Sequence, residues 1–264
     1  RQGQLAAMKT VRVQGHFGEY LQGRLGPEGL LGLITVPCPA TGLEARLERG
    51  EMPQADPLCG FLGALDLAGG GMIMVSPLSP PGAGTGISTA TLIAAARLHG
   101  WDGPPERLMA ACVAHEGASD PLAFPHPARL LWASREGRVL KKMPALPPHD
   151  IVGGYFGASR PTDPEDLDFP DVSDLAQDWE GARSLRVFGE LACESARRCL
   201  RRRGPADDPT EHLARSLGAV GFVIAHTGSA RGLIFPKGEV PPEAASALKT
   251  AGFTGILRFG SDDC

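Results

Sequence analysis

The hydrophobic positions of this chain change their period several times, and each change marks an element. Val11 to Gly23 (VRVQGHFGEYLQG) starts as a short strand and passes into a glycine-rich turn. Leu30 to Pro37 is an apolar, β-leaning run, and Thr41 to Arg49 alternates as a further strand. A helix is predicted around Leu58 to Leu67, then a brief strand from Met72 to Val75. That strand feeds into Pro80 to Leu98 (PPGAGTGISTATLIAAARL), where a glycine loop runs unbroken into a helix of small and apolar residues. Glu106 to Glu116 repeats helically, with Leu108, Ala111, Cys112 and Val113 as its buried positions, and stops at Gly117. Arg129 to Leu140 reads as a hairpin turning at Glu136 and Gly137.

The second half alternates more regularly. Ile151 to Phe156 is a strand, and Arg160 to Asp171 (RPTDPEDLDFPD) is a loop crowded with acids and prolines, either solvated or a lid. Ser184 to Arg203 carries the clearest helical stripe: Leu185, Phe188, Leu191, Ala192, Ser195, Ala196, Cys199 and Leu200. The arginines at 197, 198, 201, 202 and 203 fit a solvated helix end, where the dipole favours positive charge. A helix from Thr210 to Leu217, strands Val220 to Ala225 and Leu233 to Phe235, a helix from Pro242 to Thr250 and a strand from Phe253 to Phe259 follow. This half suits a small α+β sandwich. Lys141 to Asp150 holds three prolines and is the candidate link between two domains, residues 8–145 and 150–264.

Composition narrows the partners. The 264 residues are 42% hydrophobic, enough for a sizeable core, and the formal net charge of −4 lacks the basic balance of a nucleic-acid binder. A small soluble ligand is expected, with no nucleic acid and no membrane as partners. No apolar run approaches the roughly 18 residues that span a bilayer and no signal peptide is visible, so a cytoplasmic protein is expected. Met8 reads as the natural start, with RQGQLAA before it left out of the fold argument. Six cysteines without a C-x-x-C pair read as reduced, mostly buried residues, and the seven histidines lack zinc spacing, so any metal should take oxygen ligands.

The candidate chemistry lies in three segments. Gly82, Gly84 and Gly86 free the backbone before Ser88 and Thr89 open a helix, and free amides at a helix start favour an anion. The loop is a phosphate cradle or a flexible connection to a buried helix. It has neither the lysine of a Walker loop nor a dinucleotide fingerprint, which disfavours a nicotinamide oxidoreductase. Glu19, a single acid among glycines, pairs with a surface arginine or belongs to a site. Asp120, after a helix end and before a proline, caps a turn or is catalytic. Asp163, Asp166 and Asp168 are candidates for gripping an amino group.

Taken together, GHFGEYLQG, PPGAGTGISTA and AHTGSARGLIF resemble in order and spacing the three signature motifs of the GHMP kinase superfamily. The wording is most similar to the L-threonine kinase branch, associated with propanediol utilisation and cobalamin biosynthesis. The likeness spans most of Val11 to Phe259. It implies an α+β, two-domain fold with an amino-terminal nucleotide-binding domain, a ferredoxin-like carboxy-terminal domain, and the site between them. It further implies an ATP- and Mg2+-dependent transferase phosphorylating a small-molecule hydroxyl, L-threonine or a related hydroxy amino acid.

By the same resemblance, Pro81, Gly82, Ala83, Gly84, Thr85, Gly86, Ile87, Ser88 and Thr89 would hold the nucleotide. Ser88 and Glu116 would bind magnesium, and Asp120 would be the base or orienting carboxylate. Glu19, Thr227, Gly228, Ser229 and Arg231 would meet the substrate, with a homodimer as one open assembly state. The sequence departs from the branch at Ile87, where a serine is usual, at Thr91, where an aspartate is common, and at Ala83, where a loop lysine falls. Arg231 is a candidate replacement for that lysine. The rival reading is a non-catalytic relative that keeps the fold to bind a metabolite or a partner protein.

Overall fold

The computed structural model describes residues 9–48, 50–53, 56–159 and 162–263; RQGQLAA and Met8 lie outside them. Among these residues nine strands form one sheet: β1 (Thr10–Arg24), β2 (Leu31–Glu48), β3 (Met72–Pro77), β4 (Leu130–Ala133), β5 (Arg138–Lys142), β6 (His149–Tyr155), β7 (Gly221–Ile224), β8 (Ala230–Pro236) and β9 (Thr254–Gly260). Their order is β5-β4-β2-β1-β7-β8-β6-β9, with β3 also on β2, and each pairing is antiparallel. The fold is mixed α and β, as expected.

The first two strands are longer than their patterns predict. The glycine-rich stretch expected as a turn stays in β1, which shifts register between Gln14 and Gly15, between His16 and Glu19, and between Glu19 and Leu21. Bulges of this kind bend a strand and re-aim its side chains without ending it. Opposite, the two expected strands join into β2: Gly15 pairs with Cys38 while Gln14 pairs with Gly42, so residues 39–41 bulge outward. The Thr41 hydroxyl secures the bulge by facing the carbonyls of His16 and Cys38, each at 3.1 Å. The bulges therefore fix where His16 and Glu19 point.

Among the described residues, seven α-helices cover the sheet: α1 (Pro57–Ala64), α2 (Ile87–Leu98), α3 (Pro105–Glu116), α4 (Ser173–Gly181), α5 (Leu185–Arg203), α6 (Thr210–Ser216) and α7 (Ala244–Thr250). Ala90, Ala94, Ala95 and Ala96 of α2 are fully buried, and such small side chains let the helix lie close to β1 and β2 while α1 and α3 flank it. Helix α3 ends at Gly117 as its pattern requires. No pattern announced α4, because an acidic, proline-rich segment precedes it; Leu175, Ala176 and Trp179 nevertheless form a buried stripe. The Ser184 hydroxyl caps α5 by accepting from the Val187 amide.

Phe17, Tyr20, Leu21 and Ile34 of the first two strands share a core with Trp179 and Phe188 and with Val223 and Ile234. Burial of each such large side chain contributes about 1.5–3 kcal/mol. This core ties the amino-terminal strands to the later elements, and among the described residues β1 and β7 register at Glu19 with Ile224. Gly18 makes the approach at this seam: its φ is +76°, and a Cβ there would stand 2.6 Å from the Ile224 carbonyl.

The arginines of α5 are neutralised where they stand. Arg198 grips Asp174 bidentately at 2.7 Å, Arg197 meets Glu211 at 2.9 Å, and Arg202 and Arg203 reach Asp168 and Asp166. Asp166 and Asp168 are therefore engaged by α5 rather than available to an amino group, and Asp163 caps the Glu165 amide at 2.9 Å. Cys38, Cys59, Cys112, Cys193 and Cys199 are free thiols, and Cys264 lies outside the described residues. No helix among the described residues is long and apolar enough to cross a membrane.

Candidate active site

A cavity of about 410 Å³ opens where the glycine loop, the end of α3 and β1 meet. Within Pro81–Thr89, every residue except Ala83 lines it. Gly84 packs against the third motif: its φ is +77°, and a Cβ would fall 2.3 Å from that of Ala225. Helix α2 starts from Gly86 without a side-chain cap, so its first amides remain available to an anion.

Ala83, expected to hold nucleotide, lies behind the cavity wall rather than on it. Its side chain is fully buried, its amide donates to the Pro80 carbonyl at 3.3 Å, and its own carbonyl accepts from Ser229 and Ala230 at 3.1 and 2.9 Å. Ile87 does line the cavity, with an apolar side chain, and Thr91 turns its hydroxyl back to the Ile87 carbonyl at 2.8 Å.

Ser88 and Glu116, expected to share a metal, are together. The Ser88 hydroxyl donates to one Glu116 oxygen and Thr89 donates to the other at 2.6 Å. Burial raises the Glu116 pKa, the two hydroxyls oppose this, and Asp120 nearby adds to the rise. No basic side chain pairs with Glu116 among the described residues. A buried carboxylate with no cationic partner, faced by a hydroxyl, is a donor set that fits a hard divalent cation.

Asp120, 21% exposed, faces His16 Nε2 at 3.1 Å. His16 Nδ1 faces the Gly18 carbonyl at 3.2 Å and lies 3.7 Å from Glu19. Both ring nitrogens thus meet acceptors, which calls for the imidazolium. Burial lowers the His16 pKa, but the charge and hydrogen bond of Asp120, then Glu19 and the Gly18 carbonyl, outweigh it and lift it to about 9. Burial in turn raises the Asp120 pKa, and the His16 cation, with Arg135 beyond it, reverses that and holds it below the ordinary carboxyl value.

Glu19 lines the cavity but is committed behind it as well. Its Oε2 accepts from the His226 amide and from His226 Nδ1, both at 3.1 Å, leaving His226 Nε2 3.4 Å from the Ser195 hydroxyl. The rest of the third motif divides. Thr227 lines the cavity, 3.3 Å from the Thr162 hydroxyl of the acidic loop, so that loop borders the site.

Gly228 and Ser229 pack on the glycine loop instead. Arg231, expected at the substrate, is buried elsewhere. Its Nε meets Asp208 at 2.8 Å, and its Nη1 donates to the carbonyls of Ala225, Gly228 and Ala230. It shapes the third motif and does not line the cavity.

Sequence reading missed His16, Ser119, Ser134 and Arg135, all of which line the cavity. For His16 a signal existed, since it sits three residues before Glu19 in the same charge-poor motif. The other three carry no local pattern.

No family model matches this sequence, and no curated protein does either. Solved structures do match in fold over nearly the whole chain. Mevalonate kinase of L. major in complex with R-mevalonate superposes with a TM-score of 0.61 at 14% identity, covering 97% of each chain. Methanococcus jannaschii mevalonate kinase gives 0.63 at 10% identity over 97% of this chain and 98% of its own. Homoserine kinase from Cytophaga hutchinsonii gives 0.58 at 14% identity over 99% and 97%. The fold is that of the GHMP kinases.

Proposed function

We infer that this protein is a GHMP-type kinase that uses ATP and Mg2+ to phosphorylate a small-molecule hydroxyl. The observation that carries this reading is the convergence of Asp120 with the Ser88–Glu116 pair beside the uncapped start of α2. Phosphoryl transfer through a loose transition state needs positioning and charge neutralisation more than covalent help. The amides of the glycine loop and of α2 would cradle the phosphates. Ser88 and Glu116 would hold the magnesium, which when bound neutralises charge on the phosphate oxygens.

Asp120 would orient the acceptor hydroxyl. A carboxyl held below its ordinary pKa by the His16 cation is a weak base, so its first task is to align the hydroxyl and to receive its proton late in the transfer. His16 keeps the carboxylate ionised until that proton arrives. In this reading residues 8–145 supply the nucleotide and metal ligands, and residues 150–264 contribute the third motif that closes against them.

The motif wording supports L-threonine, or a similar hydroxy amino acid feeding cobalamin side-chain synthesis, as the acceptor. Purified protein with magnesium should bind ATP by calorimetry at millimolar nucleotide or below, and a screen of hydroxy amino acids and short alcohols should release ADP with one of them. Absence of ATP binding overturns the kinase reading. The apolar Ile87 in the cavity wall favours a second reading, a non-catalytic binding protein, which predicts ligand binding without ADP release from any acceptor.

A further inference from the structure

Among the described residues, six buried side-chain polar atoms have no hydrogen-bond partner, and three of the six belong to residues lining this one cavity: Ser119 Oγ, Ser134 Oγ and Arg135 Nε. A buried donor or acceptor without a partner is costly, so three on one wall point to a polar binding role. The two serines are only 4% and 3% exposed. Their backbones are pinned: the Ser119 amide donates to the Ser134 carbonyl at 3.0 Å, and the Trp132 indole donates to the Ser119 carbonyl at 2.8 Å. Arg135 is anchored through Nη2, which faces the carbonyls of Asp163 and Asp166 at 3.1 and 3.3 Å, while its Nε–H is unspent. The wall is held in place from behind, and these three polar atoms have no partner within the protein.

We propose that Arg135, Ser119 and Ser134 form the subsite for a carboxylate carried by the phosphoryl acceptor, beside Asp120. This rests on the kinase reading and narrows its substrate class to hydroxy acids, hydroxy amino acids included. Charge decides the ligand. The histidine on the cavity wall is already committed to Asp120, so Arg135 is the one cation among the described lining residues left to meet an incoming charge. A cationic group would be repelled there.

A phosphate dianion would face one guanidinium against the carboxylates of Asp120, Glu116 and Glu19 in the same cavity. A single negative charge with two flat oxygens matches one guanidinium donor and two hydroxyls. Ser119 is the chain neighbour of Asp120, so a carboxylate bound there would leave the rest of a short acceptor close to the orienting carboxylate.

The test uses calorimetry and ADP release on the full chain. L-threonine, L-homoserine and glycolate are compared with L-threoninamide, L-homoserine amide and glycolamide, with glycerol 3-phosphate as the phosphate arm. At least one acid should bind or turn over roughly 10- to 100-fold better than its amide, the scale of a charge-assisted contact. Arg135→Gln should abolish that preference by raising KM for the acid far more than for its amide, with little change in affinity for MgATP. Ser134→Ala, a milder change, should reduce the preference in part and keeps the test open if the arginine variant folds poorly.

The subsite is wrong if each amide matches its acid, if glycerol 3-phosphate is preferred, or if Arg135→Gln penalises acid and amide alike. Failure of the kinase reading would look different: no MgATP binding and no ADP from any acceptor, while calorimetry with the acids and amides still judges the subsite.

Discussion

His16 Nε2 and Asp120 Oδ2 stand 3.1 Å apart, and the pair spans the cavity from the bulged first strand to the turn after α3. Because the His16 pKa is raised to about 9, the protonated ring stabilises the fold fully below the unfolded histidine value of about 6.5 and loses that contribution as pH rises through about 9. The melting temperature of the wild type should therefore decline between pH 7 and 9.5, and His16→Gln should flatten the decline in differential scanning calorimetry. The same variant should move the acidic limb of the pH–rate profile upward, since Asp120 loses the cation that depresses its pKa.

Asp120→Asn keeps the shape of the side chain and removes its charge. Turnover should fall by about 10²- to 10⁴-fold, the usual worth of a positioned proton acceptor, while MgATP affinity changes little. Single-turnover ADP release beside calorimetric nucleotide binding checks this; equal losses in both would assign Asp120 to nucleotide binding.

Glu116 carries a buried carboxyl whose pKa is raised, so its ionised form costs stability at neutral pH until a cation joins it. Glu116→Gln should melt higher than the wild type without metal. Adding magnesium and nucleotide should raise the melting temperature of the wild type and much less that of the variant. A thermal-shift series in magnesium reads both effects.

Arg231 and Asp208 form an ion pair with side chains only 5% and 3% exposed. Arg231→Met leaves the aspartate buried without its cation, held only by the Thr210 amide and hydroxyl, and should destabilise by about 3–5 kcal/mol in urea unfolding. Adding Asp208→Leu to it should recover part of that loss, because the stranded charge is gone. Were Arg231 a substrate ligand, the pair of changes would restore stability without restoring substrate affinity.

Most elements were legible because their signals are local. The stripe of α5 from Phe188 to Cys199 and the stop of α3 at Gly117 depend on residues within a few positions of one another. Helix α4 was not legible, since its buried face is only Leu175, Ala176 and Trp179 and earns its burial from β1 and α5 rather than from its own pattern. In the first strand the glycines suggested a turn; the partner strand β2 and its bulge at residues 39–41 convert them into register shifts.

The sequence by itself determined the three glycine-bearing motifs, the order of strand, loop and helix around Gly82 to Ser88, and the pair Glu116 and Asp120 set four residues apart. Those features live in local spacing and side-chain chemistry. Only the tertiary structure decided that His16 completes Asp120, that Ala83 and Arg231 are packed away from the cavity, and that Ser119, Ser134 and Arg135 leave polar atoms unpartnered beside it. The physical reason is that charge pairing, burial and hydrogen-bond satisfaction are settled between residues a hundred positions apart, and no local pattern carries that information.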